Sequence, residues 1–516
     1  MNGAECLLRT LLANGVDTCF MNPGTSEMQF VSALDRVAGM RAVLCLFEGV
    51  CSGAADGYAR MTRRPAATLL HLGPGLANGL ANFHNARKAR SPIVSIVGQH
   101  STRHLRYDAP LTADIEALAR PVSGFVRTVG RAAETGRDAS AAVQAACAAP
   151  GQVATLIVPA DFSWSEAGEP GSALPRLPAS APDASSIREA AAILKSGEPA
   201  GLFLGGGALL ASAFEPAARL AAAAGVRVFA DRYAGRYQGG GARMTPLRLP
   251  YFPEPAGAAL AGLKHLILVE SEAPVSFFGY PGRRSELAPE DCAIHVLASA
   301  EEDGAAALRS LARECGVDAA PPPPVRAPKP EWPEGAALTP DTLGRVLAYE
   351  LPDSAIVSEE AVSSSEPILR GLAAAAAHDL LPITGGSIGQ GLPVAVGAAV
   401  ACPDRKVIAL EADGSGLYTL QALWTMARER LDVLAIVLKN RGYRILEIET
   451  RRTGAGEIGP RAYDMMDLTR PDLDWVKLSE GLGVEAARAA TVAEFADQFR
   501  AAAGRRGPAL IEAVLE

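Results

Sequence analysis

No C-x-x-C pair occurs among the eight cysteines, so neither a zinc knuckle nor a disulfide framework is expected. No apolar run approaches the roughly 20 residues that a membrane-spanning helix requires. The opening stretch MNGAECLLRTLLANG has no basic leader and no continuous apolar core, and reads as the start of a helix rather than a signal peptide. A basic excess is also missing: 49 Lys and Arg face 57 Asp and Glu, for a net charge of -8. That balance argues against a nucleic-acid footprint or a polybasic membrane contact. No short repeat period marks a solenoid. What remains is a soluble, cytoplasmic protein rich in alanine and aliphatic residues.

A chain of 516 residues exceeds one ordinary core, and about three domains of roughly 150 to 190 residues are expected. Buried strands are predicted at 17–21, 42–47, 66–70, 93–97 and 153–158, separated by helical segments, which is an α/β pattern over 1–162. A proline-rich linker follows at 163–184. A second α/β unit over 185–318 has strands at 201–204, 227–230, 265–269 and 293–297. Its Gly205-Gly206-Gly207 turn either approaches a nucleotide or packs strand on helix. The segment 319–335, with Pro321, Pro322, Pro323, Pro324, Pro328, Pro330 and Pro333, reads as a stiff connector. The third unit spans 336–516. The predicted fold is three consecutive doubly wound α/β domains.

In that third unit, Asp413 and Asn440 bracket a complete strand–helix–strand. Residues 406–412 (KVIALEA) are a short apolar run and Asp413-Gly414-Ser415-Gly416 is a turn. Residues 417–430 show helical periodicity through Leu420, Leu423, Trp424 and Ala427, and 433–438 (VLAIVL) form a second strand. A right-handed crossover sets the strands parallel and adjacent, so Asp413 and Asn440 meet at one sheet edge. A carboxylate and an amide oxygen suit a hard cation such as Mg²⁺. The helix that opens at the turn favours a diphosphate. The alternative is an N-cap aspartate with a turn asparagine.

Four strand ends of the first unit also converge: Asn22-Pro23-Gly24-Thr25-Ser26-Glu27, Glu48, His71 and Gly98-Gln99-His100. In an open parallel sheet such ends line one crevice. Glu48 lies between AVLCLF and GVCSGAA, apolar and small-residue surroundings in which burial favours the protonated carboxyl. Capping of its own helix is the alternative role.

The stretch EADGSGLYTLQALWTMARERLDVLAIVLKNRGY resembles the thiamine diphosphate motif of the decarboxylase and acetolactate synthase-like enzymes, with Ala412 and Lys439 as departures from its first glycine and first asparagine. The resemblance implies pyrimidine-binding, central and diphosphate-binding domains in this order. It implies Mg²⁺ on Asp413, Asn440 and the carbonyl of Gly442. Glu48 would hydrogen-bond the aminopyrimidine ring and favour the imino tautomer that generates the ylide. In the loop Gly385-Gly386-Ser387-Ile388-Gly389-Gln390-Gly391, Ile388 maps to the wedge that bends the cofactor, and the Gly386 carbonyl to the partner of its amino group. Asn22, Pro23, Gly24, Ser363, Ser364, Gly414, Ser415 and Tyr443 are further cofactor contacts.

NPGTSE and the stretch from Leu70 to Gly79 are similar to benzoylformate decarboxylase, with Thr25 in the place of a serine and His71 in that of a histidine able to relay protons. A packed strand-end histidine is the alternative. A second histidine of that enzyme would fall near Gly279 and is missing. The resemblance implies non-oxidative decarboxylation of a 2-oxo acid, or, as the alternative, carboligation of the enamine to a second carbonyl compound. Against ordinary acetolactate synthesis, Tyr107-Asp108-Ala109 is followed by Pro110-Leu111 rather than a phenylalanine–glutamine pair, and a short central domain argues against FAD. A non-catalytic, cofactor-binding homologue is the remaining reading, disfavoured by the intact Glu48. A homodimer or homotetramer with sites shared between subunits is expected.

Overall fold

Runs of four to seven apolar residues that are covered on both faces favour parallel sheets with crossover helices. The computed structural model describes residues 1–319, 327–335 and 337–516. The run from Pro321 to Pro324 lies outside them.

The first sheet has β1 (Thr18–Asn22), β2 (Arg41–Leu44), β3 (Ala66–Leu70), β4 (Ile93–Gln99), β5 (Phe125–Thr128) and β6 (Val153–Pro159). Their order is β2-β1-β3-β4-β6-β5, all parallel. Edge strand β5 was not expected, because it is half-exposed and lacks the apolar run of its neighbours. Strand β2 stops at Leu44, earlier than the expected 47, and Phe47 instead caps helix α1 (Glu48–Thr62). Glu48 thereby becomes the first residue of that helix. After β3, helix α2 (Leu72–Lys88) returns across the sheet.

The central sheet takes β7 (Ala200–Leu204), β8 (Arg227–Ala230), β10 (Leu247–Arg248), β11 (His265–Val269) and β12 (Ala293–Ala298), in the order β10-β8-β7-β11-β12. Strand β9 (Tyr237–Gly239) leaves this unit and pairs antiparallel with β14 of the third sheet. That sheet contains β13 (Ala355–Glu360), β14 (His378–Pro382), β15 (Val407–Ala412), β16 (Val433–Lys439), β17 (Glu485–Ala489) and β18 (Ala509–Val514), in the order β17-β18-β16-β15-β13-β14-β9.

Beside β1, β7 and β13 the winding of the respective sheet reverses, and ligand crevices form at the carboxyl ends of the strands there. The reversals fall between β1 and β3, between β7 and β11, and between β13 and β15. At these places Asn22 pairs with Leu70, Leu204 with Val269, and Glu360 with Glu411.

The first and third units share one core. Helix α1 crosses helix α3 (Gly391–Ala401), and Val50, Ala54, Tyr58, Leu392 and Val396 are buried together. Backbone meets backbone at the crossing. A Cβ on Gly57 would lie 2.2 Å from the Val394 carbonyl oxygen, and one on Gly397 would lie 1.8 Å from that of Ala54. Only glycine fits at either place.

The helix expected over 417–430 is divided. Asp413–Gly416 forms one turn and α4 (Gln421–Glu429) begins later. Between them the Thr419 hydroxyl donates to the Gly389 carbonyl at 3.0 Å, a tertiary bond that local periodicity does not encode.

Candidate active site

At the first crevice, Glu48 is 6% exposed. Its Oε1 accepts from the Asn22 amide at 3.1 Å and its Oε2 from the Asn78 amide at 3.0 Å. One donor comes from the end of β1, the other from α2. The carboxyl is therefore oriented from two sides by neutral groups and makes no ion pair among the described residues. Asn82 and Asn85, further along the same face of α2 at helical spacing, reach across to the third unit. Asn82 donates to the carbonyls of Gly49 and Gly389 at 2.8 and 3.1 Å, and Asn85 donates to that of Ser387 at 2.7 Å. Asn85 Oδ1 in turn accepts from the N–H groups of Gly385 and Ser387. These three asparagines were not singled out in the sequence, although the spacing 78, 82, 85 on one helix face was legible.

His71 follows β3 and stands 2.8 Å, through Nδ1, from Glu27 Oε2. The same carboxylate oxygen accepts from the Gly24 N–H at 2.9 Å, which ties the N-P-G turn to the imidazole. Glu27 Oε1 is buried without a partner among the described residues and lies where a Cβ on Gly98 would be. Burial pushes the Glu27 carboxyl up, and the neighbouring imidazole pulls it down. Thr25 is exposed on a short turn (Thr25–Glu27) beside this pair. Gly24 approaches the His71 ring so closely that a Cβ there would meet it at 2.2 Å.

The third crevice brings Asp413 and Asn440 together as their strands require, since Ala412 pairs with Leu438. Asp413 is 2% exposed and accepts from the N–H groups of Gly414 at 3.0 Å and Arg441 at 2.8 Å. It makes no ion pair among the described residues. Burial raises its carboxyl. Asn440 Oδ1 accepts from the Gly442 N–H at 3.1 Å. A buried carboxylate held only by backbone dipoles, with an amide oxygen and a carbonyl beside it, fits a hard cation that would supply the missing positive charge. Gly414 and Ser415 are buried in the turn, and the Tyr443 ring closes over it, 2.6 Å from where a Cβ on Gly414 would sit.

Both departures from the motif are accommodated. Ala412 is ordinary extended backbone at φ -81°, ψ 146°. Lys439 is 2% exposed and points away, its Nζ reaching Asp472 at 3.0 Å, Glu512 at 2.8 Å and the Leu473 carbonyl at 2.5 Å.

The loop that carries Gly386 and Ile388 is clamped from beneath. Glu360 accepts from the N–H groups of Gly389, Gln390 and Gly391 at 2.6, 2.7 and 2.5 Å. Burial pushes its carboxyl up to about 7 against the pull of those donors. Burial and the adjacent Glu360 raise Glu411 further, and its two oxygens have no partner among the described residues. Both carboxyls are raised, Glu411 the further, because three strong backbone donors offset part of the burial of Glu360. Neither residue stood out in the sequence, since an apolar run with a terminal glutamate reads as a strand end. Gly386 is exposed at φ +76°, and Phe277 of the central unit packs where its Cβ would be, 2.5 Å away. Phe277 belongs to an aromatic group with Tyr233, Tyr251 and Phe278, at centroid separations of 5.6, 5.4 and 4.7 Å. Ser364 is buried and Ser363 half-buried on the turn Val362–Ser364 at the end of β13.

Residues 1–118 match the family described as "Thiamine pyrophosphate enzyme, N-terminal TPP binding domain" and residues 374–513 its C-terminal TPP binding domain. A Mycobacterium tuberculosis protein named "Putative acetolactate synthase large subunit IlvX" is 49% identical over 100% of this chain and 99% of its own. The chain is a thiamine diphosphate-dependent enzyme of the acetolactate synthase and decarboxylase family. Benzoylformate decarboxylase of Pseudomonas aeruginosa is 29% identical over 97% of this chain and 96% of its own. A solved thiamine diphosphate-dependent 4-hydroxybenzoylformate decarboxylase of Rhodococcus jostii RHA1 superposes with a TM-score of 0.85 at 26% identity, covering 100% and 99% of the two chains.

In this thiamine diphosphate enzyme two backbone donors of the central crevice are met by a carboxylate of the chain itself. Glu270, at φ +51°, follows β11 and accepts from the N–H of Gly207 at 2.6 Å and of Gly304 at 2.8 Å. Its carboxylate stands where the triple-glycine turn and the start of helix Gly304–Glu314 would otherwise present donors to an anion. The close-packing reading of Gly205-Gly206-Gly207 is the one that the geometry favours. No described helix is long and apolar enough to cross a membrane. Among the described residues no hydrogen bond joins the Glu48–His71 group to the Asp413–Asn440 group.

Proposed function

We propose that this enzyme decarboxylates a 2-oxo acid without oxidation, with thiamine diphosphate and Mg²⁺, and releases CO₂ and an aldehyde. The observation that carries this reading is the Glu27–His71 pair at the same sheet edge as Glu48, because aldehyde release needs a proton delivered at the reacting carbon. With Nδ1 engaged by Glu27, His71 Nε2 is the ring nitrogen left to hand over that proton. Bound thiamine diphosphate supplies the carbanion that adds to the 2-oxo carbonyl and the sink for the electrons that CO₂ leaves behind.

Glu48, oriented by Asn22 and Asn78, would hold the aminopyrimidine ring by a hydrogen bond. Asp413, Asn440 and the Gly442 carbonyl would hold Mg²⁺ through oxygen. Gly414, Ser415 and Tyr443 would border the diphosphate, with Ser363 and Ser364 nearby. The Gly386 carbonyl and the Ile388 side chain would position the pyrimidine, and Thr25, with Pro23 and Gly24, would border the substrate beside His71. The aromatic group at Phe277 supports a bulky, apolar substituent on the 2-oxo acid.

The reading includes a homodimer or homotetramer with shared sites. Exposed Met28, Leu46 and Tyr107 flank the first crevice, and exposed Tyr418 and Met465 the third, as surfaces that a second copy would cover. All eight cysteines are free, which supports the reducing cytoplasm.

Carboligation is the second reading, favoured by the 49% identity to a protein named as an acetolactate synthase subunit. A panel of 2-oxo acids, with and without aldehyde acceptors, separates the two by free aldehyde against acyloin or acetolactate-type products. Ligation products with no free aldehyde overturn decarboxylation as the main activity.

A further inference from the structure

Three of the seven histidines gather at the first crevice. Strand β4 lies beside β3 with Val97 opposite Leu70, so His100, just past the end of β4, stands at the same edge as His71. The His104 ring lies 5.3 Å from that of His100 and 5.7 Å from that of Tyr107. The loop between the two histidines is pinned, because Asp161 accepts from the Thr102 N–H at 3.0 Å and its hydroxyl at 2.6 Å.

His100 Nε2 is buried and has no hydrogen-bond partner among the described residues. A buried polar atom is expensive to leave unpaired, and this one satisfies no structural need of the fold. His104, by contrast, is exposed to solvent. The exposed His104 ring stands against His100, and His71, at the same sheet edge, is held by Glu27.

We infer that His104 and His100 are a proton relay that recharges His71 from solvent, so that the second imidazole of the site comes from the first domain rather than the central one. The inference rests on the proposed reading of His71 as the proton donor. The balance is simple. Decarboxylation of a 2-oxo acid anion consumes one proton per aldehyde formed; His71 Nε2 gives it, His100 restores it, and water restores His100 through His104. His100 acts through His71 and is a positioning residue, not a catalytic one. Burial, His104 and His71 all lower the proton affinity of His100, as suits a group that passes a proton on. The other charged and titratable groups around the relay are Glu27 on His71, Asp161 under the loop, and Arg106, which stacks on Tyr107 at 4.7 Å.

Two measurements test the relay. In the chain without cofactor, imidazole titrations followed by ¹H–¹⁵N NMR in wild type and H71Q should show the His100 midpoint move up when its neighbour is removed. In the loaded enzyme, H100Q should slow aldehyde release about tenfold with KM unchanged. The loss should steepen above neutral pH, and added imidazole should restore the rate. H104Q, at an exposed position that tolerates change, should give a smaller loss of the same kind. An unmoved His100 midpoint in H71Q overturns the relay, as does an H100Q enzyme that releases aldehyde at the wild-type rate. If wild type releases no CO₂ from any 2-oxo acid, the reading of the reaction fails instead, and the His100 midpoint alone decides whether the imidazoles are coupled.

Discussion

Glu48 owes its place to a one-residue decision at Phe47, whose extended backbone ends the approach from β2 and starts α1. From there the carboxyl points into a crevice where two asparagine amides, and no cation, receive it. Glu48→Gln keeps the shape and one of the two acceptor contacts but cannot protonate a ring nitrogen. It should bind thiamine diphosphate normally by calorimetry and lose at least about a hundredfold in turnover. Asp413→Ala removes the buried carboxylate proposed to hold Mg²⁺ at the third crevice. Its thiamine diphosphate should wash out on dialysis in Mg²⁺ buffer, with the apparent Mg²⁺ requirement raised about tenfold or more. Retention of the cofactor by that variant would contradict the metal site. Both residues were legible in the sequence because each stands at the end of an apolar strand. Their supports were not. Asn78, Glu27 and Glu411 sit in segments whose local pattern reads as plain helix or strand, and only the folded neighbours give them a task.

At the scale of elements, the loop before α3 depends on Glu360. That carboxyl is raised from its ordinary 4.5 to about 7, so the folded state favours its protonated form. The sign follows. Its contribution to stability is complete below about pH 4.5 and is lost as pH rises through about 7. In the chain without cofactor, wild type should lose about 2–3 kcal/mol of unfolding free energy over this window relative to Glu360→Gln, as measured by urea denaturation at several pH values. Parallel profiles for the two proteins would remove Glu360 from that titration. The elements themselves were mostly expected. Strands at 66–70, 227–230 and 265–269 fall on their predicted spans, since each is a buried run bounded by breakers. The helix over 417–430 was drawn too long because the Thr419–Gly389 bond is made across the fold, not along the chain.

For the whole molecule, two polar groups in separate domains carry the proposed chemistry, and apolar side chains are exposed around both. If the sites are shared between subunits, Glu48→Gln and Asp413→Ala should complement each other. Mixed, dissociated and reassociated, the two inactive variants should regain about a quarter of wild-type activity, since half of the pairs formed are mixed and each mixed pair holds one intact site. A mixture that stays inactive, while sedimentation shows mixed oligomers, would place each site within one chain.

The sequence by itself determined the strand–turn–helix units, the strand-end carboxylates and the cofactor motif, because those follow from hydrophobic period and from residues a few places apart. Tertiary structure decided which side chains from distant segments meet. It set Glu27 on His71, seated the Ile388 loop on Asn85 and Glu360, turned Lys439 to Glu512, and set Glu270 on the N–H groups of Gly207 and Gly304. Each of these joins groups that lie far apart along the chain. Sheet order, fixed by how the domains wind and pack, is the quantity that no local pattern contains.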